Sequence, residues 1–258
     1  MTTTTDVLRR RPPLLRLLRT EVADELKQIA REPAALFFSV LMPVGFFALF
    51  VSMFGAEGSD GDLPAGTVML ARFGSYGVIG AVMMNPGLAL AEARDRGWFQ
   101  AQKVSPVPIP VTLAARVLAA LPFSIGILIA MTGAAAGFGV LEVTPAEWVA
   151  LVASLVVGSL PFALVGLAIG VLAAPQAAAA IMNAVIIPLA IAGGLWFPLE
   201  VMPTFVADLA PALPTYHLAQ LGMAALTGEA AMAHWAYLVA FTAVAGTLAA
   251  MAYRRAPT

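Results

Sequence analysis

The chain has no cysteine, which excludes a disulfide framework, a thiolate metal site and a thiol nucleophile. Charge is scarce as well. Asp, Glu, Lys and Arg make up 11% of the 258 residues, against about a quarter in a soluble domain. The 14 basic and 15 acidic groups nearly cancel, so no basic surplus is available for a nucleic acid. A nucleotide-cradling G-x-x-x-x-G-K-[ST] loop is missing, since neither Lys27 nor Lys103 follows a glycine. H-E-x-x-H and G-x-S-x-G are missing too. What is plentiful is apolar surface: 60% of residues are hydrophobic and the mean hydropathy is +0.89. A soluble fold of this size could not hide that much. Lipid has to cover it.

A helix needs roughly 20 mostly apolar residues to cross the hydrocarbon core. Six charge-free runs qualify: 34–54, 73–91, 117–141, 148–174, 177–197 and 235–253. The first carries six Phe, three Leu and three Val, worth together ~-4 to -7 kcal/mol of insertion at midspan values. The second is the most marginal, with four glycines, Asn85 and Pro86; such a span survives by packing on other helices rather than facing lipid. Lys and Arg stay on the cytoplasmic side. Residues 9–31 hold seven of them, 94–116 hold four, and Arg254 and Arg255 follow the last run, so six crossings put 13 of 14 on one side, with Arg72 the exception. The expected protein is a multi-pass component of the inner or plasma membrane with both termini cytoplasmic. Arg9-Arg10-Arg11 does not start a cleaved leader, because Pro12-Pro13, Arg16 and Arg19 interrupt any apolar core. Ala, Gly and Val richness, with Arg favoured over Lys, suits a GC-rich bacterial genome.

Three segments between the runs carry information. In 14–31, Leu15, Leu18, Val22, Leu26 and Ile29 recur at steps of three and four, with Arg16, Arg19, Asp24, Lys27 and Arg31 opposite. That pattern predicts a basic amphipathic helix in the cytoplasmic interface, within a first region of 1–33. The 92–116 segment opens with Glu92, Arg94, Asp95, Arg96, Gly97, Trp98 and Phe99, and Pro106, Pro108 and Pro110 then stiffen it. Exposed Trp98 and Phe99 beside mixed charges match the composition of a protein interface. The 198–230 segment is too apolar for an ordinary loop and too broken for two crossings; Pro198, Pro203, Pro211 and Pro214 divide it. Two half-helices dipping in and returning would fit, and such backbone must be shielded from lipid by protein or water.

These residues resemble one family, the six-helix permease subunits of type-2 ATP-binding-cassette (ABC) exporters. Phe197-Pro198-Leu199, Met202-Pro203 and Leu213-Pro214 are similar to its pattern after the fifth span. Pro86-Gly87 followed by Glu92-x-Arg94-Asp95-Arg96-Gly97 is similar to its second-span exit, with Trp98 where a small hydroxyl residue is usual. The resemblance implies an all-α membrane domain over 34–258, paired with a second permease chain, identical or not, that works in lipid. It also implies separate ATPase subunits that bind ATP and Mg, this chain itself binding no cofactor or metal and catalysing nothing. The ATPase would meet Leu15, Leu18, Arg19, Val22, Leu26, Lys27 and the Glu92–Phe99 stretch. Spans two and five would line the route, making Met83, Met84, Asn85, Pro86, Asn183 and Pro188 candidates, and Phe197, Pro198, Pro203, Pro211 and Pro214 would form an outer gate. Few charges and adaptable methionines suit a hydrophobic or amphiphilic solute, such as a drug, antibiotic or lipid, leaving the cell.

Two other readings compete. An ion-coupled secondary transporter would place ionisable groups at mid-membrane and show related halves; the six runs contain none, and no duplication is visible. A membrane-embedded enzyme would draw on His217 or His234 with Asp208 or Glu229, but none of these has ligand spacing on one helix.

Overall fold

A computed structural model of the chain describes residues 13–31, 33–55, 59–60, 63–97, 99–100, 102, 105 and 107–255, with backbone only for 33–39 and 59–60. Trp98, Lys103, Pro106 and the arginines before Pro12 lie outside the described residues. The architecture is all-α apart from a two-residue antiparallel pair, β1 (Ser59–Asp60) and β2 (Leu63–Pro64). The helices are α1 (Leu14–Ala30), α2 (Pro33–Phe54), α3 (Ala65–Asp95), α4 (Ile109–Gly137), α5 (Pro145–Gly158), α6 (Leu160–Leu172), α7 (Pro175–Ala192), α8 (Thr204–Leu209), α9 (Pro214–Thr227) and α10 (Met232–Arg255). Among the described residues five stretches are long and apolar enough to cross a membrane: α3, α4, α5 with α6, α7 and α10. In α2, which has 22 residues, the side chains are described from Val40 to Phe54, a shorter apolar helix.

The observed helices outrun the charge-free runs at their ends. α3 takes in Arg72 and α4 takes in Arg116, each the eighth residue of its helix, because a long side chain can carry its charge to a partner or to the interface. The fourth run is two helices rather than one. Pro161 has no N–H to offer the Val157 carbonyl, and the ladder breaks at Ser159, whose hydroxyl donates to the Val156 carbonyl at 2.8 Å. The fifth run ends at Ala192 instead of 197: Gly194, at φ +75°, closes the helix while Leu195 N–H reaches back to Ala190 O at 2.9 Å.

α3 is the centre of the bundle, touched by α2, α4, α6, α7 and α9. Of its most apolar window 72% is buried, against 17% for α10, as its weak hydropathy requires. Its tightest contact is with α6. A Cβ on Gly166 would stand 2.0 Å from the Met83 carbonyl oxygen, and one on Gly170 would stand 2.1 Å from that of Gly87. The two backbones therefore touch, through a small-xxx-small spacing that suits helices packed inside a membrane.

The 198–230 segment departs from a symmetric pair of half-helices. α8 is six residues long and exposed, with Phe205 and, just before the helix, Val201 more than 70% accessible. Apart from Ala210, which is fully buried, burial begins at Pro214. α9 then packs between α3, α5 and α10, and Leu218 and Leu221 sit against Gly158. Within the chain, the expected shielding of the whole segment is thus confined to its second arm. The first arm, including Pro198, Pro203 and Pro211, is open.

Candidate functional site

One end of the bundle gathers charge. α1 lies across α4, with Leu18, Val22, Leu26 and Ile29 half-buried and Arg19 and Lys27 outward. Leu15, expected on the apolar stripe, is exposed one turn beyond the contact. Lys27 pairs with Asp24 at 3.1 Å. The tie that fixes α1 is an ion pair: Glu25 Oε1 lies 3.2 Å from Arg116 Nη2, with both side chains under 10% accessible. Burial pushes the Glu25 carboxyl above the usual carboxylate range; the Arg116 guanidinium opposes this, and Glu21 and Asp24 add to it. Arg116 Nε has no hydrogen-bond partner, so the guanidinium depends on Glu25. A search for charge-free runs hides this pair. Its signal is register: Glu25 stands three residues after Val22 and four before Ile29, inside the apolar stripe rather than opposite it.

The end of α3 meets the same region. Arg94 Nη1 donates to the Val171 carbonyl at 2.7 Å, satisfying an open acceptor at the end of α6. Glu92 and Arg96 pair at 3.5 Å along the helix surface, and Gly97, at φ +84°, turns the chain out. Phe99 corrects the expectation of an exposed anchor. It is 8% accessible and packs with Leu90, Leu167, Val171 and Ala252, its ring 5.7 Å from that of Tyr253. Its apolar face finds the bundle before it finds a partner. The outward groups in this stretch are Asp95, Arg96 and, in part, Glu92, Arg94 and Gly97.

α3 keeps one open face. Arg72, Tyr76, Gly80, Met84, Leu88 and Glu92 are half-buried at steps of four, forming one helical stripe. Met83 and Pro86 do not belong to it: both are buried in the bundle, Met83 against Gly166 of α6. Met84 and Asn85 remain at the edge, and the Asn85 amide nitrogen is buried with no partner. On α7, Asn183 donates to the Ala179 carbonyl of its own helix at 2.9 Å, while Pro188 is exposed.

Towards the other end, aromatic rings close on this face. Trp196 meets Tyr76 edge-on at 4.9 Å and stacks with Phe46 at 6.2 Å, and Phe50 contacts Phe73 and Phe197. Trp196, Phe50, Phe73 and Phe197 border a cavity of about 540 Å³ among α2, α3 and residues 195–201, with Arg72 and Glu200 as its charged lining. That volume lies in the range of drug-sized sites. His217 and His234 come within 2.9 Å of each other on neighbouring helices, a proximity that a 17-residue separation does not suggest.

Known proteins share this arrangement of sequence. The model of the family described as ABC-2 type transporter matches residues 16–227. The chain is also similar to YvfS of Bacillus subtilis (strain 168), which bears the name of a transport permease. The two are 25% identical over 203 residues, covering 79% of this chain and 82% of the relative.

Proposed function

The chain belongs to the ABC-2 type transporter family, and on that premise we propose that it is the membrane half of an ATP-driven exporter. A transmembrane transport permease is what the family implies; direction, cargo and engine are our reading. In it α2 is the first of six crossings, since 22 residues of helix reach about 33 Å. α9 is a returning arm beside α5 rather than a crossing. The basic end faces the cytoplasm, where a separate ATPase binding ATP and Mg docks on α1 and on the turn after Asp95.

The observation that carries this reading is the Glu25–Arg116 ion pair, which ties α1 to the start of α4, with the charges of Glu92 and Arg96 at the end of α3 acting on the same guanidinium. A push on the outer surface of α1 reaches α4 without slack. Beside it, the charged end of α3 is locked to α6 by Arg94. The open stripe of α3, from Arg72 to Leu88, supplies one wall of a route and a second permease chain supplies the other. Amphiphilic or hydrophobic solutes suit a wall of Tyr76, Gly80, Met84 and Leu88.

Because the chain has no cysteine, docking can be mapped directly. Arg19→Cys, on the outer surface of α1, is expected to form an adduct with a co-expressed Walker-type ATPase through a short photo-crosslinker. Val239→Cys, exposed on the flank of α10, is expected to form none. An ATPase that reacts with neither, or equally with both, would remove α1 from the docking surface.

A further inference from the structure

His217 of α9 and His234 of α10 face each other through their Nδ1 atoms, 2.9 Å apart. The Nε2 of His217 lies 2.9 Å from the Pro211 carbonyl oxygen. A carbonyl oxygen only accepts, so His217 carries its proton on Nε2 and donates there. Its Nδ1 is then a lone pair, and His234 must donate to it from Nδ1. One pair of tautomers satisfies both bonds. The His217 ring also stacks on Tyr237 with centroids 3.8 Å apart and planes within 19°, and the Tyr237 hydroxyl donates to the Ala212 carbonyl. Residues 211–212, the link between the exposed arm and buried α9, are thus tied to α10 through one imidazole and one phenol.

We propose that this cluster is a proton-sensitive latch, which holds the 198–213 arm against α10 and releases it when both imidazoles are protonated. A first proton leaves one N–H and one lone pair between the two Nδ1 atoms, whichever ring carries the charge, so the His234–His217 bond stays intact. A second proton, which makes both rings cations, removes the last acceptor and sets two N–H groups head to head. The first is tolerated; the second is not. Burial holds the His217 imidazole below the ordinary value of 6.5, its bond to Pro211 opposes this, and the charge of His234 lowers it further. Tyr216 and Tyr237 are the other titratable groups against its ring. Of the helices packed around α9, α3 carries Arg72, Glu92, Arg94 and Asp95, α5 carries Glu147, α10 carries Arg254 and Arg255 besides His234, and α7 carries no Asp, Glu, Lys, Arg or His; Arg72 and Glu200 share a small pocket with Tyr216. His234 is the neighbour whose charge acts on His217. The sign follows: a base with a depressed value stabilises the closed form at and above 6.5, and that contribution is lost as pH falls below it.

The test is a distance measurement on the full chain in lipid nanodiscs, independent of ATPase and solute. Phe205→Cys in α8 and Val239→Cys in α10, both well exposed, carry spin labels. At pH 8 one narrow distance is expected. Below pH 6.5 a longer population should grow, its ratio to the short one rising by up to about tenfold per pH unit once the first proton is bound, the limit for the second proton. His234→Asn should flatten this response, because an amide can turn to donate to neutral His217 or accept from its cation. His217→Asn, which gives up the Pro211 bond, should show the longer population at every pH. A wild-type distribution unchanged between pH 8 and pH 5, or a His234→Asn variant that opens like the wild type, would overturn the latch.

Discussion

Arg116→Ala is expected to cost about 3–5 kcal/mol of stability, the consequence of leaving a buried charge without its partner. Glu25 would remain under 10% accessible beneath α1, unable to reach water without lifting the helix. Glu25→Ala should cost a similar amount, because Arg116 would then lose the carboxylate that its buried guanidinium faces. The double variant Glu25→Leu, Arg116→Met separates charge from shape. An apolar pair of similar volume in place of a buried ion pair is often neutral or stabilising, so the double variant should unfold near the wild-type midpoint. Thermal unfolding of the four proteins in one detergent checks this. If both single variants melt with the wild type, α1 is held by its leucines alone and the strut does not exist.

The second large effect is expected at Gly166. Its missing side chain lets α6 rest on the carbonyl of Met83, and any Cβ there would fall 2.0 Å from that oxygen. The neighbour is backbone, not a flexible tip, so α3 and α6 must separate. Gly166→Ala should therefore cost at least the upper part of the ~1–3 kcal/mol typical of overpacking, and Gly166→Leu should prevent recovery of folded protein. Gly126 is the control. It lies within α4 with nothing inside 4 Å of a built Cβ, and alanine there should gain roughly 0.5–1 kcal/mol of helix preference. Equal melting of Gly166→Ala and Gly126→Ala would mean that the glycine contact is not close in solution.

Much of the helical layout is legible in the amino-acid sequence, because lipid imposes a simple length rule on apolar runs. The weak hydropathy of the second run predicts a helix that must pack on others, and α3 is the most enclosed of the five long apolar stretches among the described residues. Proline punctuation also speaks locally: Pro198, Pro203, Pro211 and Pro214 each stand just before a helical turn or within its first two residues. What sequence patterns miss is tertiary. A search for charge-free runs discards Arg116 by construction and never asks what Glu25 is doing in an apolar stripe. Phe99 reads as exposed because its neighbours in sequence are charged, yet its neighbours in space are Leu90, Leu167 and Val171. Met83 and Met84 are adjacent in sequence and look alike as lining residues. One helical step of about 100° puts the first into the core and leaves the second at the open edge.

The source of energy is the central claim. The chain carries no G-x-x-x-x-G-K-[ST] loop, and on the proposed reading its solute moves only when a second polypeptide turns over ATP. Reconstitution into sealed liposomes, with an amphiphilic fluorescent solute and with or without the ATPase, measures this directly. We expect accumulation that needs ATPase, ATP and Mg together and that ignores an imposed proton or sodium gradient. Sustained uphill transport by this chain alone, driven by such a gradient, would contradict the claim.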